Sequence, residues 1–342
     1  MPPAAPRILL VRFSSMGDIL LTSALVRALR ARHPAAHIAF LTKAQFAPLV
    51  SASPRLSEVI TYRDDEPLLP LARALRARRF THLLDLHGGL RSRALHWLVP
   101  GRWREYSKRR FAREVLIRLK RNVYRDAVPE PERFFDAAEG LDVRPDDGGL
   151  EFFVAPEAVA RVDAWLAARG LAGRPFTLLG PGAAHFTKRW PPEYWTALAA
   201  RLAAAGRALV VTGGRAEREV GDAIVAAARA AHPDAAAENS AGEFALQETG
   251  ALLQRAGALV VGDTGVMHMA TAVGTPIVTL MGPTVAPFGF YPYHARATVL
   301  ERDLPCRPCT PFGGPVCPEG HHRCLRDIAP AEVEDALVRL TR

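Results

Sequence analysis

No apolar run in this chain of 342 residues approaches the ~18 residues of a membrane-spanning helix, because Arg or Asp interrupts every candidate. The opening Met-Pro-Pro-Ala-Ala-Pro-Arg lacks a basic region, a long apolar stretch and a small-residue cleavage site, so no secretory leader is expected. Glycine (26) and proline (28) follow no period, which excludes collagen-like and low-complexity chains. A GxGxxG turn, a Walker A loop, an HExxH pair and a Ser/His/Asp triad are all missing. Their absence removes dinucleotide dehydrogenases, P-loop NTPases and the familiar hydrolases. What remains is 49% hydrophobic and 23% charged with mean hydropathy near zero (+0.02). Such a chain reads as a globular, cytoplasmic protein, long enough for two domains.

Acidic residues are scarce in one place. The net charge of +9 is concentrated between Arg102 and Arg125, where ten Lys/Arg (102, 104, 108, 109, 110, 113, 118, 120, 121, 125) meet only Glu105 and Glu114. That segment alone carries +8, and the remainder is close to neutral. A local patch implies one anionic partner surface or, equally, a solvated helix face, and it counts against a nucleic-acid-binding protein.

Short β-type runs alternate with helical periodicity. Strands are expected at Arg7–Phe13, His37–Thr42, Ser57–Tyr62 and Thr81–Leu86, with helices at Asp18–Arg32 and Leu68–Arg79. Prolines 129, 131 and 145 and the Asp-Asp-Gly-Gly at 146–149 mark a domain edge. A second series follows: strands at Pro175–Leu179, Ala208–Thr212, Ala258–Val261 and Pro276–Met281, and helices from Glu193 and Glu217. The expected fold is α/β: two doubly wound domains with mostly parallel sheets, ligands binding at strand-to-helix loops, and a cleft between domains as the natural site. A last helix, Pro330–Leu340, has Val333, Leu337 and Leu340 on one face and must dock.

Four of those loops carry chemistry. Ser14-Ser15-Met16-Gly17-Asp18 follows the first strand; small residues there permit close backbone approach, and Asp18 is either a first-turn helix acid or a carboxylate within reach of a substrate hydroxyl. Residues 180–191, which include Thr187, Lys188 and Arg189 before Trp190-Pro191, suit phosphate oxygens, unless they are simply a basic solvent loop. In Gly262-Asp263-Thr264-Gly265-Val266-Met267-His268, Asp263 and Thr264 cap a helix whose first N–H groups favour a pyrophosphate. His268 is alternatively a plain helix histidine. In Gly213-Gly214-Arg215-Ala216-Glu217-Arg218-Glu219, Glu217 and Glu219 compete as acceptors of ribose hydroxyls. The four cysteines, Cys306, Cys309, Cys317 and Cys324, have a spacing compact enough for zinc but loop-like and unlike the common ribbon; no metal is assigned to the site.

Together RFSSMGDILLTSALVRALR, FTKRWPPEYW, GGRAERE, GDTGVMHMATAVGTPIVTLMGPT and the CRPC…GHHRC ending resemble the lipopolysaccharide heptosyltransferases, glycosyltransferase family 9, from about Arg7 to the C-terminus. The resemblance implies the glycosyltransferase-B fold: an acceptor domain (1–165), a nucleotide-sugar donor domain (166–328) and a C-terminal helix (329–342) packing back. It implies inverting, metal-independent transfer of heptose from ADP-heptose to the Kdo–lipid A type inner core, with no cofactor. By the same resemblance Asp18 is the general base, and Ser15, Met16 and Gly17 of its loop bind substrate. Lys188, beside Thr187, neutralises the diphosphate; Asp263, Thr264, Gly265 and His268 contact the diphosphate and heptose; Glu217 or Glu219 holds the ribose. The basic segment 102–125 then meets the anionic acceptor or the inner leaflet of the inner membrane, making the enzyme cytoplasmic and peripheral. Alternatives are a related glycosyltransferase with another nucleotide-sugar donor, and a nucleotide-sugar-binding protein without catalysis, against which Asp18 argues.

Overall fold

The computed structural model describes residues 5–342. Its chain contacts divide into two compact units, the first made of residues up to 109 with 128–153, the second of 110–127 with 154–342.

In the first unit the chain runs β1 (Arg7–Val11), α1 (Met16–Leu21), α2 (Ser23–Arg32), β2 (His37–Lys43), β3 (Glu58–Tyr62), α3 (Leu68–Ala77), β4 (His82–Asp85), α4 (Leu90–Leu98) and β5 (Trp103–Glu105). It then leaves for α5 (Arg110–Leu119), which belongs to the second unit, and returns with α6 (Glu130–Arg133). The sheet is parallel with order β3-β2-β1-β4-β5. Helices cover both faces of such a sheet, so its central strand reads as a continuous apolar run: Ile8 to Val11 are fully buried. The single helix expected over Asp18–Arg32 is instead two. Thr22 donates its hydroxyl to the Ile19 carbonyl at 2.6 Å, a side-chain bond that competes with the helical ladder where α1 gives way to α2.

The second unit runs α7 (Pro156–Ala167), β6 (Phe176–Gly180), α8 (Pro192–Ala204), β7 (Ala208–Val211), α9 (Arg218–Ala231), β8 (Ala237–Asn239), α10 (Leu246–Arg255), β9 (Ala258–Gly262), α11 (Gly265–Val273), β10 (Ile277–Met281), β11 (Ala297–Glu301), α12 (Arg323–Arg326) and α13 (Pro330–Leu340). Its parallel sheet has order β11-β10-β9-β6-β7-β8. Both units are therefore doubly wound, and strand order reverses between β1 and β4 in one and between β6 and β9 in the other. Such switch points, at the carboxyl ends of the strands, are where ligands bind.

The terminal helix docks on the second unit: Val333, Ala336 and Leu337 are fully buried in the cluster formed by Trp195, Leu198 and Leu202 of α8 with Val278 and Leu280 of β10. Trp190 donates its indole N–H to the Ile328 carbonyl at 3.0 Å and stacks edge-on against Trp195, seating α8. Truncating Leu337 to Ala leaves a cavity that α13 cannot collapse into. We expect a loss of about 2–5 kcal/mol in denaturant unfolding of the second unit, and an unchanged midpoint would show that the helix is not integral to that core.

Candidate active site

Each switch point holds a carboxylate paired with a cation. In the first unit Asp18 sits in the third position of α1. One oxygen accepts from the Ser15 N–H (3.1 Å) and hydroxyl (2.7 Å), and the other pairs with Arg12 at 2.8 Å. Arg12 follows β1 and is nearly buried, donating also to the Leu86 carbonyl and the Tyr106 hydroxyl (3.3 Å). Burial works to raise the Asp18 pKa, but Arg12 and the two Ser15 bonds outweigh it and hold the carboxyl below the ordinary range. Burial likewise opposes charge on Arg12, and Asp18 and Tyr106 restore it, so the guanidinium stays protonated. Of the neighbouring residues expected at the site, Met16 opens α1, Gly17 is buried in its first turn, and Ser15 caps it in the open.

Sequence reasoning passed over the β4 end of the same switch point. Fully buried Asp85 accepts from the backbone N–H groups of His87 and Gly88, both at 2.8 Å, and from His96 at 3.1 Å. Gly88 adopts a positive φ (+54°), which the tight turn requires and a side chain would resist. Lys108 caps the turn from the other side, donating to the His87 and Gly88 carbonyls. His87 packs edge-on against Phe13, and among the described residues its buried Nδ1 has no hydrogen-bond partner. Burial, Arg12 and Lys108 together push its pKa down to about 4, so the imidazole is neutral at pH 7. The signal is Asp85-Leu86 ahead of His87-Gly88-Gly89, but it falls inside the strand expected over Thr81–Leu86.

In the second unit Lys188 closes the short turn after β6 and pairs with Asp263, at the end of β9, at 2.7 Å. Both are largely buried, and Asp263 also accepts from the Thr284 hydroxyl at 2.7 Å. Two glycines let the Lys188 turn settle against the sheet: a Cβ at Gly262 would lie 2.9 Å from the Lys188 carbonyl, and one at Gly282 2.9 Å from the Thr187 carbonyl. Thr264 is the N-cap of α11 and Gly265 its first residue. The Thr264 hydroxyl is buried and makes no hydrogen bond among the described residues. A buried donor left open beside a lysine and a helix N-terminus is suited to an anion's oxygen. His268 lies buried one turn further along α11.

Thr187 is used differently. Its hydroxyl accepts from Gly314 N–H (2.8 Å) and donates to the Gly314 carbonyl (3.3 Å), tying the Lys188 turn to the segment between Cys309 and Cys317. Glu217 accepts from the Gly214 N–H at 2.9 Å and lies against Gly182 and Gly213, where the β6 and β7 loops meet, whereas Glu219 is exposed on α9. Burial pushes the Cys324 thiol up to about 12, and among the described residues no three or more His, Cys, Asp or Glu side chains form a metal-binding group. No helix among them is long and apolar enough to cross a membrane.

Comparison with known proteins follows the same lines. Residues 68–313 match glycosyltransferase family 9 (heptosyltransferase). The chain is 28% identical to lipopolysaccharide heptosyltransferase 2 of Salmonella typhimurium, covering 97% of each. It is 30% identical to lipopolysaccharide heptosyltransferase 1 of Pseudomonas aeruginosa, over 89% of this chain and 86% of that protein. Among solved structures, E. coli ADP-heptose lipopolysaccharide heptosyltransferase II superposes with a TM-score of 0.73 at 26% identity, covering 98% of each chain.

His87 gives the first unit a pH signature. Its folded pKa lies below the ordinary 6.5, so its contribution is complete above that value and is lost as pH falls toward about 4. Between pH 7 and 4.5 the first unit should lose about 2–3 kcal/mol that His87→Gln does not lose. Denaturant titrations at both pH values check this, and parallel losses in the two proteins would contradict it.

Proposed function

The chain belongs to glycosyltransferase family 9, and from that membership we propose that it transfers heptose from ADP-heptose to the inner core of lipopolysaccharide, with Asp18 as base and Lys188 at the leaving group. The single observation that carries the donor assignment is the second unit's set of Lys188, the open Thr264 hydroxyl and the N-terminus of α11 at one switch point. In this reading Lys188, steered by Asp263, and Thr264 with the Gly265 N–H receive the diphosphate. His268 stands behind them on the heptose side, and Glu217 rather than Glu219 accepts from the ribose hydroxyls. Thr187 contributes by fixing the turn that bears Lys188.

The acceptor hydroxyl oxygen attacks the anomeric carbon of the heptose and its proton passes to an Asp18 oxygen. The bond from the anomeric carbon to the β-phosphate oxygen breaks, and ADP leaves with the electron pair, inverting the centre. A carboxylate held below its ordinary pKa is a weak base, so it takes the proton only as the new bond forms. Most of the acceleration then comes from positioning and from charge stabilisation on departing ADP. Arg12 and Ser15 fix the Asp18 rotamer for that transfer, and Lys108 and His87 shape the neighbouring loop. The relatives are named for heptose transfer, which leaves the reading of a different nucleotide-sugar donor without support. The basic segment 102–125 engages the phosphate- and carboxylate-rich acceptor, and the enzyme works as a peripheral protein at the cytoplasmic face of the inner membrane.

Replacing Asp18 by Asn keeps the side chain's size and an oxygen that accepts from Ser15 but removes the proton acceptor. Turnover should fall by about 10²–10⁴-fold while ADP affinity stays at the parent value. Product mass with a defined truncated lipopolysaccharide and calorimetric ADP binding check both halves; near-parent turnover removes the base assignment.

A further inference from the structure

Helix α5 buries only Leu116, although three of its ten residues are other large aliphatics and one is Phe. Phe111 and Leu119 are 80% and 63% exposed, and Val123 just beyond the helix is 41% exposed. Phe111, Val115 and Leu119 are four residues apart and form one stripe along the helix. The same stretch is strongly basic: residues 110–125 hold six Lys/Arg and a single acid, Glu114, which pairs with Arg118 at 3.1 Å.

The segment is fastened to its own unit through carbonyls and an aromatic ring. Lys120 donates to the carbonyls of Cys306 (2.9 Å) and Pro308 (2.6 Å), and Arg113 lies 4.7 Å over the Phe312 ring. A simply solvated helix would be polar all round, and a protein-binding face would be depleted in charge at its centre. An exposed Phe/Leu stripe on a segment where six Lys/Arg meet one acid has the composition of a helix lying in an anionic lipid interface. We infer that α5 is such an element: Phe111 and Leu119 enter the headgroup–acyl boundary of an anionic bilayer, and the surrounding arginines meet lipid phosphates. The inference rests on the reading of a lipid-anchored acceptor and adds an apolar, salt-resistant component to an attraction that would otherwise be electrostatic alone.

The test is flotation of the full-length protein with vesicles free of acceptor, made of phosphatidylcholine alone or mixed with phosphatidylglycerol. The parent should float with the mixed vesicles and retain part of that binding in high salt. Phe111→Ser with Leu119→Ser should weaken partitioning about tenfold or more and make the remainder wholly salt-sensitive. Arg118→Gln with Arg121→Gln should lower binding at low salt; ADP affinity equal to the parent's shows that each variant is folded. Salt-resistant flotation of the double Ser variant at the parent level, or no flotation of the parent, overturns the inference. So does self-association of the parent in sedimentation that the Ser variant abolishes, which assigns the stripe to a second copy. Transfer to a deacylated, water-soluble acceptor is measured in parallel: its absence breaks the reading of heptose transfer without touching the vesicle result, and its presence beside failed flotation breaks only the inference.

Discussion

The ion pair between Lys188 and Asp263 is the contact on which the account depends. Two largely buried charges 2.7 Å apart cost desolvation that their attraction offsets only with further hydrogen bonds, and Thr284 supplies one to Asp263. Removing one partner of such a pair typically costs about 3–5 kcal/mol, so the lysine is strongly held where β6 and β9 diverge. Its partner Asp263 directly precedes Thr264, the N-cap of α11, whose hydroxyl makes no hydrogen bond among the described residues. In the proposed reading, cation, hydroxyl and helix end stand in place before a donor arrives, which would leave little reorganisation for the departure of a diphosphate.

The first unit solves the complementary problem by the same topology. Its switch point also pairs a carboxylate with a buried cation, but Arg12 is multiply anchored and Asp18 retains an edge open to solvent. The arrangement trades basicity for placement. In its proposed role as base, a carboxylate held ionised by Arg12 and Ser15 would remove a proton weakly, yet it is kept in the charged form and in a single orientation. Asp85 and Lys108 stiffen the adjoining β4 loop through its backbone, leaving His87 neutral at its edge.

The two parallel sheets are legible because strands covered on both faces must be apolar along their length, as Ile8–Val11 and Leu178–Leu179 are; the order of strands within each sheet is not. The loops after those strands, where Asp18, Lys188 and Asp263 lie, are legible for the same reason: a strand's end and a helix's start are both marked by composition. Short edge strands such as β5, β8 and β11 are not legible, since three to five half-exposed residues carry no clear period. Nor is the β4 turn, whose Asp85 is structural to the backbone and only geometry separates it from the strand. The association of 110–127 with the second unit rests on Lys120 reaching carbonyls nearly two hundred residues away, a contact with no local signature. Thr187 shows the reverse case: proximity to Lys188 in sequence suggested a ligand contact, whereas its hydroxyl bonds to Gly314.

The most direct measurement is calorimetric titration of ADP into Lys188→Ala beside the parent, with turnover followed on the same preparations. The account predicts ADP affinity lower by about ten- to a hundredfold, the worth of a charge-assisted hydrogen bond, and a turnover reduced further still because the lysine acts on charge that grows as ADP departs. Parent-level affinity and turnover in a folded variant would contradict it, placing the diphosphate away from the β6–β9 switch point.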